Sequence, residues 1–291
     1  MDAAGSFAFQ ILVRAPSMAA NIVDPPFLHL LSSQQTIGQL DNFITTSALF
    51  AATNPQEAVE DPTYHDPSRY HVRQIDIIKR CYQFIQHEGI ILTIRRQGLP
   101  PGLADDFYLL INRDVKSGAF IRAIFTCFLS RKLAIDRVGY ILPNSATRPP
   151  FDSALWTMRI DQDGLTLMHI TKLLYAISGS IPGDNQYYHL FNRNCYWYTR
   201  VFNRLITRIA PQAAGASGWQ IQDHENRNHF WYRLGRCFGI QADGSEPPEA
   251  DEAEINGLET RYNHCYNQLM ERVTWVRQAL AQAQVQAQDE I

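Results

Sequence analysis

The sequence has no long hydrophobic run and no excess of positive charge. No apolar stretch approaches the roughly 18–20 residues that a helix needs to cross a bilayer. The N-terminal segment has an acidic second residue and no basic cluster before its short apolar run, unlike a signal peptide. A formal net charge of −3 gives no global field that would attract a polyanion. These absences predict a soluble, cytoplasmic protein that does not bind nucleic acid.

Paired cysteines and nucleotide-binding motifs are also missing. The five cysteines (positions 81, 127, 195, 237 and 265) form no CxxC pair and no metal-ligand spacing. An odd, scattered set is typical of free thiols in a reducing compartment. There is no GxSxG, P-loop or GxGxxG motif, and His224 and His229 are five residues apart, not the four of a helical metal pair. We therefore expect neither a metal nor another cofactor.

The composition that remains is that of a folded globular chain, because 45% of the residues are hydrophobic and 19% are charged. Its patterning predicts four parts. They are a mainly helical N-terminal region (1–136), a mixed strand and helix module (137–240), an acidic linker containing proline (241–254), and a long amphipathic helix (255–291).

In the N-terminal region, apolar residues at helical spacing predict helices over 36–52 and 71–87. The segment 89–96 has the composition of a strand. A further helix is predicted from about residue 117 to 132.

The module has strand-like segments at 137–143 and 153–160, and a third over 165–174 that follows Asp163-Gly164. An Asp-Gly pair between two β-rich runs predicts a hairpin, since glycine tolerates the positive φ of such turns. A helix with one apolar face follows, ending before Pro211, and another is predicted over 224–236. The fold class is therefore α+β, with a small antiparallel sheet packed on a cysteine-bearing helix and helical extensions on both sides.

Cys195 is the candidate nucleophile because it falls in the first turn of the helix that follows the third strand-like segment. It precedes Tyr198 and Phe202 by three and seven residues, which places it on the same inward face. Unpaired N–H groups and the helix dipole stabilise a thiolate at this position. Asn194 is a favourable N-cap.

The stretch YHLFNRNCYWY (188–198) resembles the cysteine-bearing helix of the permuted papain-like (NlpC/P60-related) cysteine enzymes, including their lecithin:retinol acyltransferase-like and PPPDE-peptidase branches. Uncharacterised fungal proteins share these features. The resemblance covers 153–209, about a quarter of the chain. It implies a catalytic histidine that opens one strand, a polar residue on the next strand that orients it, and the cysteine helix last.

On this resemblance, Asn194 and Cys195 match the Asn-Cys pair, and Tyr196, Trp197 and Tyr198 match the aromatic positions that follow. Trp156 matches the aromatic residue after the catalytic histidine, but that histidine is replaced here by Leu155. A leucine cannot accept a proton. His169, predicted on the partner strand, is then the candidate base, and the alternative for it is a packed core histidine.

The papain-like resemblance implies two alternative functions, and the C-terminal helix suggests a third. In the first, Cys195 attacks an acyl carbon, His169 takes its proton, and a thioester is resolved by water, an amine or an alcohol, so that the protein is a cysteine hydrolase or acyltransferase acting on a small-molecule or peptide substrate. Asn194, Trp156, Tyr196 and Trp197 would then line the binding site. In the second, the same fold is catalytically dead and binds a ligand or protein.

The third possibility is an interaction protein that binds a protein partner through the helix 255–291. Its apolar residues recur at steps of three and four. The heptad pattern breaks after Leu269, which favours packing across the domain over a coiled-coil dimer.

Overall fold

A computed structural model gives the architecture of the chain. It describes residues 35–55, 66–80, 87–97, 106–115, 132–141, 153–160, 164–178, 187–188, 195–210, 219–221 and 252–289.

One antiparallel sheet organises the described residues. Its five long strands are joined by three short ones at the edges, in the spatial order β1-β5-β4-β3-β2-β6-β8, while β7 pairs with β5 outside this path. The strands are β1 (Gln35–Thr36), β2 (Tyr70–Arg80), β3 (His87–Arg96), β4 (Asp106–Val115), β5 (Lys132–Ile141), β6 (Ser153–Arg159), β7 (Tyr187–Tyr188) and β8 (Trp219–Ile221).

Four α-helices are described, and all contribute to one apolar core with a single face of the sheet. They are α1 (Ile37–Thr53), α2 (Leu167–Ser178), α3 (Cys195–Ile209) and α4 (Glu252–Asp289). Helix α3 packs on β3 and β4, and α4 packs on the other three helices. The architecture is therefore α+β, as the sequence predicted.

Helix α1 begins where a capping box satisfies its first free N–H groups. The Thr36 hydroxyl accepts from the Gln39 N–H at 3.3 Å, and the Gln39 side chain accepts from the Thr36 N–H at 2.9 Å. Its buried face carries Ile37, Leu40 and Ile44. The helix predicted over 36–52 is confirmed.

Polar contacts fix α2 and α4 in place. The buried Lys172 ammonium of α2 lies 2.7 Å from Asp41 and donates to Thr45 at 2.9 Å, both on α1. Burial raises the pKa of the Asp41 carboxyl, and the hydrogen bond from Lys172 opposes that rise. At the start of α4, the half-buried Arg208 of α3 pairs with Glu252 and Glu259.

The strands predicted at 89–96, 137–143 and 153–160 are confirmed as β3, β5 and β6. Strand β5 ends at residue 141 and β6 at residue 159. The predicted long C-terminal helix is confirmed as α4. Its inner face buries Ile255, Leu258, Tyr262, Leu269 and Val273 against the rest of the molecule, so it packs across the fold as expected.

Among the described residues of 1–136, strands outweigh the one α-helix, because residues 70–80, 87–96, 106–115 and 132–136 form strands, in contrast to the mainly helical character predicted for this region. The helix predicted at 71–87 is the strand β2 over residues 71–80. The boundary predicted at residue 137 falls inside β5, and strands on both sides of it share one sheet.

The hairpin predicted around Asp163-Gly164 is also wrong. Residues 167–178 form helix α2 instead of a strand. Strand β6 pairs with β2 and β8. Nearly every side chain of α2 is buried, so it lacks the polar face that identifies a helix in a sequence.

Three other predictions concern residues outside the described part of the chain: most of the helix at 117–132, the helix at 224–236 and the linker up to residue 251. Of the helices that the structure does describe, none is both long enough and apolar enough to span a bilayer.

Candidate functional site

The candidate site lies where the first turns of α3 meet the start of β3 and the end of β4. Cys195 is the first residue of α3, as the sequence predicted. The structure describes its backbone but not its side chain, and the same holds for Tyr196. Asn194, the predicted N-cap, lies outside the described residues.

A buried ion pair forms the floor of this region. Arg113 on β4 faces Asp136 on β5, and its Nη1 donates to both carboxylate oxygens at 3.0 and 2.9 Å. The Arg113 side chain is fully buried and that of Asp136 is 4% exposed. A buried pair of this kind is costly to desolvate, and it is far more costly to break by removing one partner.

A second buried carboxylate lies beside the pair. Glu88 on β3 is 5% exposed and accepts a hydrogen bond at 2.6 Å from the hydroxyl of Thr199 on α3. Gly89 and Asn112 are register partners, so Glu88 and Arg113 are the next positions along the two strands. Three charged residues on adjacent strands thus lie under one helix.

Aromatic residues of α3 cover the guanidinium. The Arg113 Cζ lies 5.2 Å from the Trp197 ring centroid and 5.6 Å from that of Tyr198. The half-buried Trp197 also donates through its indole N–H to Glu254 of α4 at 3.4 Å. Burial raises the pKa of Tyr198 well above its usual value, and Asp136 adds to the rise while Arg113 opposes it.

Charged groups of both signs lie around the first turns of α3. Among the described residues, Glu88, Asp136 and Glu254 supply carboxylates. Arg113, which pairs with Asp136, and Arg200, on the second turn of α3 itself, supply guanidinium groups.

His169 is not on a strand, so that part of the prediction is wrong. It is the third residue of α2, and its ring stacks on Tyr266 of α4 with 4.4 Å between centroids. Its Nδ1 accepts from the Thr166 N–H at 3.2 Å and lies 2.8 Å from the Thr166 hydroxyl. Because Nδ1 is the acceptor, the ring proton of the neutral form is on Nε2, and neither nitrogen is a free base.

Two sets of contacts, one along strand β2 and one along helix α4, indicate that His169 and Cys195 are far apart. Thr166, which holds the His169 ring, bridges to His71 at the start of β2, whereas Glu88, which holds α3, pairs with Lys79 near the end of the same strand. The span from 71 to 79 is about 26 Å at the usual rise of a strand.

The contacts of helix α4 also indicate that His169 and Cys195 are far apart. Its Glu254 contacts Trp197, two residues after Cys195, and its Tyr266 stacks on His169. The twelve residues between these two contacts correspond to about 18 Å along a helix. Proton transfer needs hydrogen-bond contact, so the structure does not bring the predicted pair together.

Stability is expected to decrease in acid because of His169. Burial, with a smaller effect of His71, lowers its pKa to about 4. The unfolded chain, with a pKa near 6.5, binds the proton more readily, so stability is full above pH 6.5 and is lost as the pH falls towards 4. The shift corresponds to about 3 kcal/mol.

Urea unfolding of wild type and His169→Phe between pH 7.5 and 4 measures this loss. Phenylalanine keeps the stack on Tyr266 but binds no proton, so its stability should vary less with pH by that amount. The exposed His264 of α4 provides the control, and His264→Phe should follow the wild-type curve. Parallel curves for wild type and His169→Phe would contradict the prediction.

Trp156, the predicted binding residue on β6, pairs with Ile77 and Ile221 in the sheet. Only its backbone is described, as for Leu155. Within the described ranges, no three His, Cys, Asp or Glu side chains converge as a metal site would require.

Sequence reasoning missed Glu88, Arg113 and Asp136. Each one is in phase with apolar residues that face the helices, as Glu88 is with Ile90 and Leu92. A charged residue at an inward position of a strand is the signal that indicates a buried polar network. Their pairing depended on strand register, which the sequence did not provide.

The fold and site define the protein as an α+β chain with one helix-covered antiparallel sheet and a buried charged cluster under α3. No family model, curated protein or solved structure matches the chain. The papain-like resemblance therefore depends on the sequence of residues 153–209 alone.

Proposed function

We propose that the chain is a binding module, in which a fold resembling that of the permuted papain-like enzymes binds a protein or small-molecule partner without covalent catalysis. The observation that carries this proposal is the separation between His169 and the first turn of α3. Leu155 at the position of the usual base supports it from the sequence.

A cysteine hydrolase or acyltransferase is the second candidate function. It is favoured by the position of Cys195 at the start of a 15-residue helix, where backbone N–H groups favour a thiolate and an oxyanion. In that case Cys195 would form a thioester without help from His169.

Iodoacetamide labelling at pH 7 separates the two functions. For a binding module, Cys195 should react no faster than Cys265, which is a half-buried thiol whose pKa is raised by burial. Peptide mass spectrometry gives the rate for each cysteine. At least about tenfold faster labelling of Cys195 would indicate an activated thiolate and would favour the enzyme.

Turnover of an activated acyl ester provides the second test. Wild type and Cys195→Ser should release the leaving group at the same slow rate if no thioester forms. A saturable activity that is present in wild type and lost in Cys195→Ser would overturn the binding proposal. Cys265→Ser is the matched control for loss of a thiol elsewhere.

A further inference from the structure

The outer face of α4 is exposed along most of its length. Opposite the buried seam, a shallow groove is lined by Asn267, Met270, Glu271, Thr274, Trp275 and Gln278. Trp275 is 69% exposed and Val285, on the same side of the helix, is 58% exposed. They are the only large hydrophobic residues that are exposed within the described ranges. Tryptophan is enriched among the residues that contribute most to protein interfaces.

The charges on this face are self-complementary. At 100° per residue, the face centred on Thr274 extends from Asn263 to Val285, about 33 Å. It carries one acid and one base, Glu271 and Arg277, three residues before and three residues after Thr274. Both are exposed, and neither has an ion-pair partner in the part of the chain that the structure describes.

We propose that this face of α4 binds the same face of a second copy of the chain, in antiparallel orientation, with the twofold axis at Thr274. Residues equally far before and after Thr274 are then level with each other across the interface. Glu271 of each copy is then level with Arg277 of the other, on the opposite flank of the contact, so the proposal has these two long side chains meet across it. A twofold contact is isologous, so this pairing occurs twice.

The same axis sets the heights of the other residues of the face. Met270 is level with Gln278 of the other copy, Asn263 is level with Val285, and the two copies of Trp275 lie within about 3 Å of each other in height. A parallel arrangement would place Glu271 against Glu271 and Arg277 against Arg277, and like charges across an interface are unfavourable. The inner seam of α4 stays packed on its own molecule throughout.

A charge exchange in the full-length chain tests the proposal. Each of Glu271→Arg and Arg277→Glu replaces two attractions with two repulsions, so each should weaken the dimer by at least roughly tenfold in Kd. The double variant Glu271→Arg/Arg277→Glu should restore the dimer. Arg272→Glu is the control, because Arg272 is exposed on another side of α4. Analytical ultracentrifugation over a range of concentrations gives Kd.

Cysteine cross-linking tests the orientation. Thr274→Cys places two thiols at the twofold axis and should give a disulfide-linked dimer under mild oxidation, whereas Arg272→Cys should not. A wild-type chain that sediments as a monomer at all concentrations overturns the proposal. So does a dimer that is insensitive to the single charge reversals, or one that the double variant does not restore. None of these results depends on the labelling of Cys195, so the two proposals can fail separately.

Discussion

Replacement of Asp136 with leucine is expected to lower the free energy of unfolding by about 3–5 kcal/mol. The substitution leaves the Arg113 guanidinium fully buried without its carboxylate. The aromatic rings of Trp197 and Tyr198 remain in contact with Arg113, but they do not replace a charged partner. Urea unfolding at pH 7 measures the loss.

Two companion variants show that burial is the cause. Arg95→Gln removes a bidentate pair with Asp106 that has similar distances, but the Arg95 side chain is 44% exposed, so the cost should be below about 1 kcal/mol. Arg113→Met combined with Asp136→Leu removes both charges and should recover much of the lost stability. Equal losses for the buried and exposed pairs would refute this account.

Replacement of Phe202 with alanine should cost about 3–5 kcal/mol, because a fully buried phenyl ring on α3 is lost and leaves a cavity. The surrounding core of sheet and helix side chains can relax only in part. Calorimetry or urea unfolding measures the change.

Thr207 lies on the exposed side of the same helix, and its hydroxyl bonds to the Asn203 carbonyl at 2.9 Å. Thr207→Ala should change stability by no more than about 0.5 kcal/mol. A small effect of Phe202→Ala would show that α3 does not pack on the sheet as described.

The sequence predicted three of the four described helices because each has a polar side. The apolar positions of α1, α3 and α4 recur at steps of three and four, and these residues are the buried ones. Helix α2 was not predicted because most of its residues are buried, so it has no polar side that would show the helical period. Intrinsic periodicity identifies a helix only when one face meets solvent.

Strand β2 was predicted as a helix because apolar residues recur along it at helical spacing, as at Ile75 and Ile78. In the strand these two residues lie on opposite faces of the sheet, and both are buried. Burial on both faces therefore produced a spacing of three that imitates a helical turn. The neighbouring β3 was predicted correctly.

For the candidate site, the helix start at Cys195 was predictable from local pattern, whereas its surroundings were not. Glu88 and Thr199 are 111 residues apart in sequence and meet only through packing of α3 on the sheet. The predicted partnership of Cys195 and His169 depended on a hairpin that does not form. Contacts of this kind follow from topology, and one sequence does not determine topology by pattern alone.

The order of the strands in the sheet sets the order in which the molecule can assemble. Strands β2, β3 and β4 each pair with the next one along the chain, so these pairs form with little loss of chain entropy. Helix α4 instead contacts α1, at the other end of the described chain. Docking of α4 on α1 therefore closes the longest loop. We expect this docking to follow pairing of the strands. Contacts that form this late in folding mainly slow unfolding.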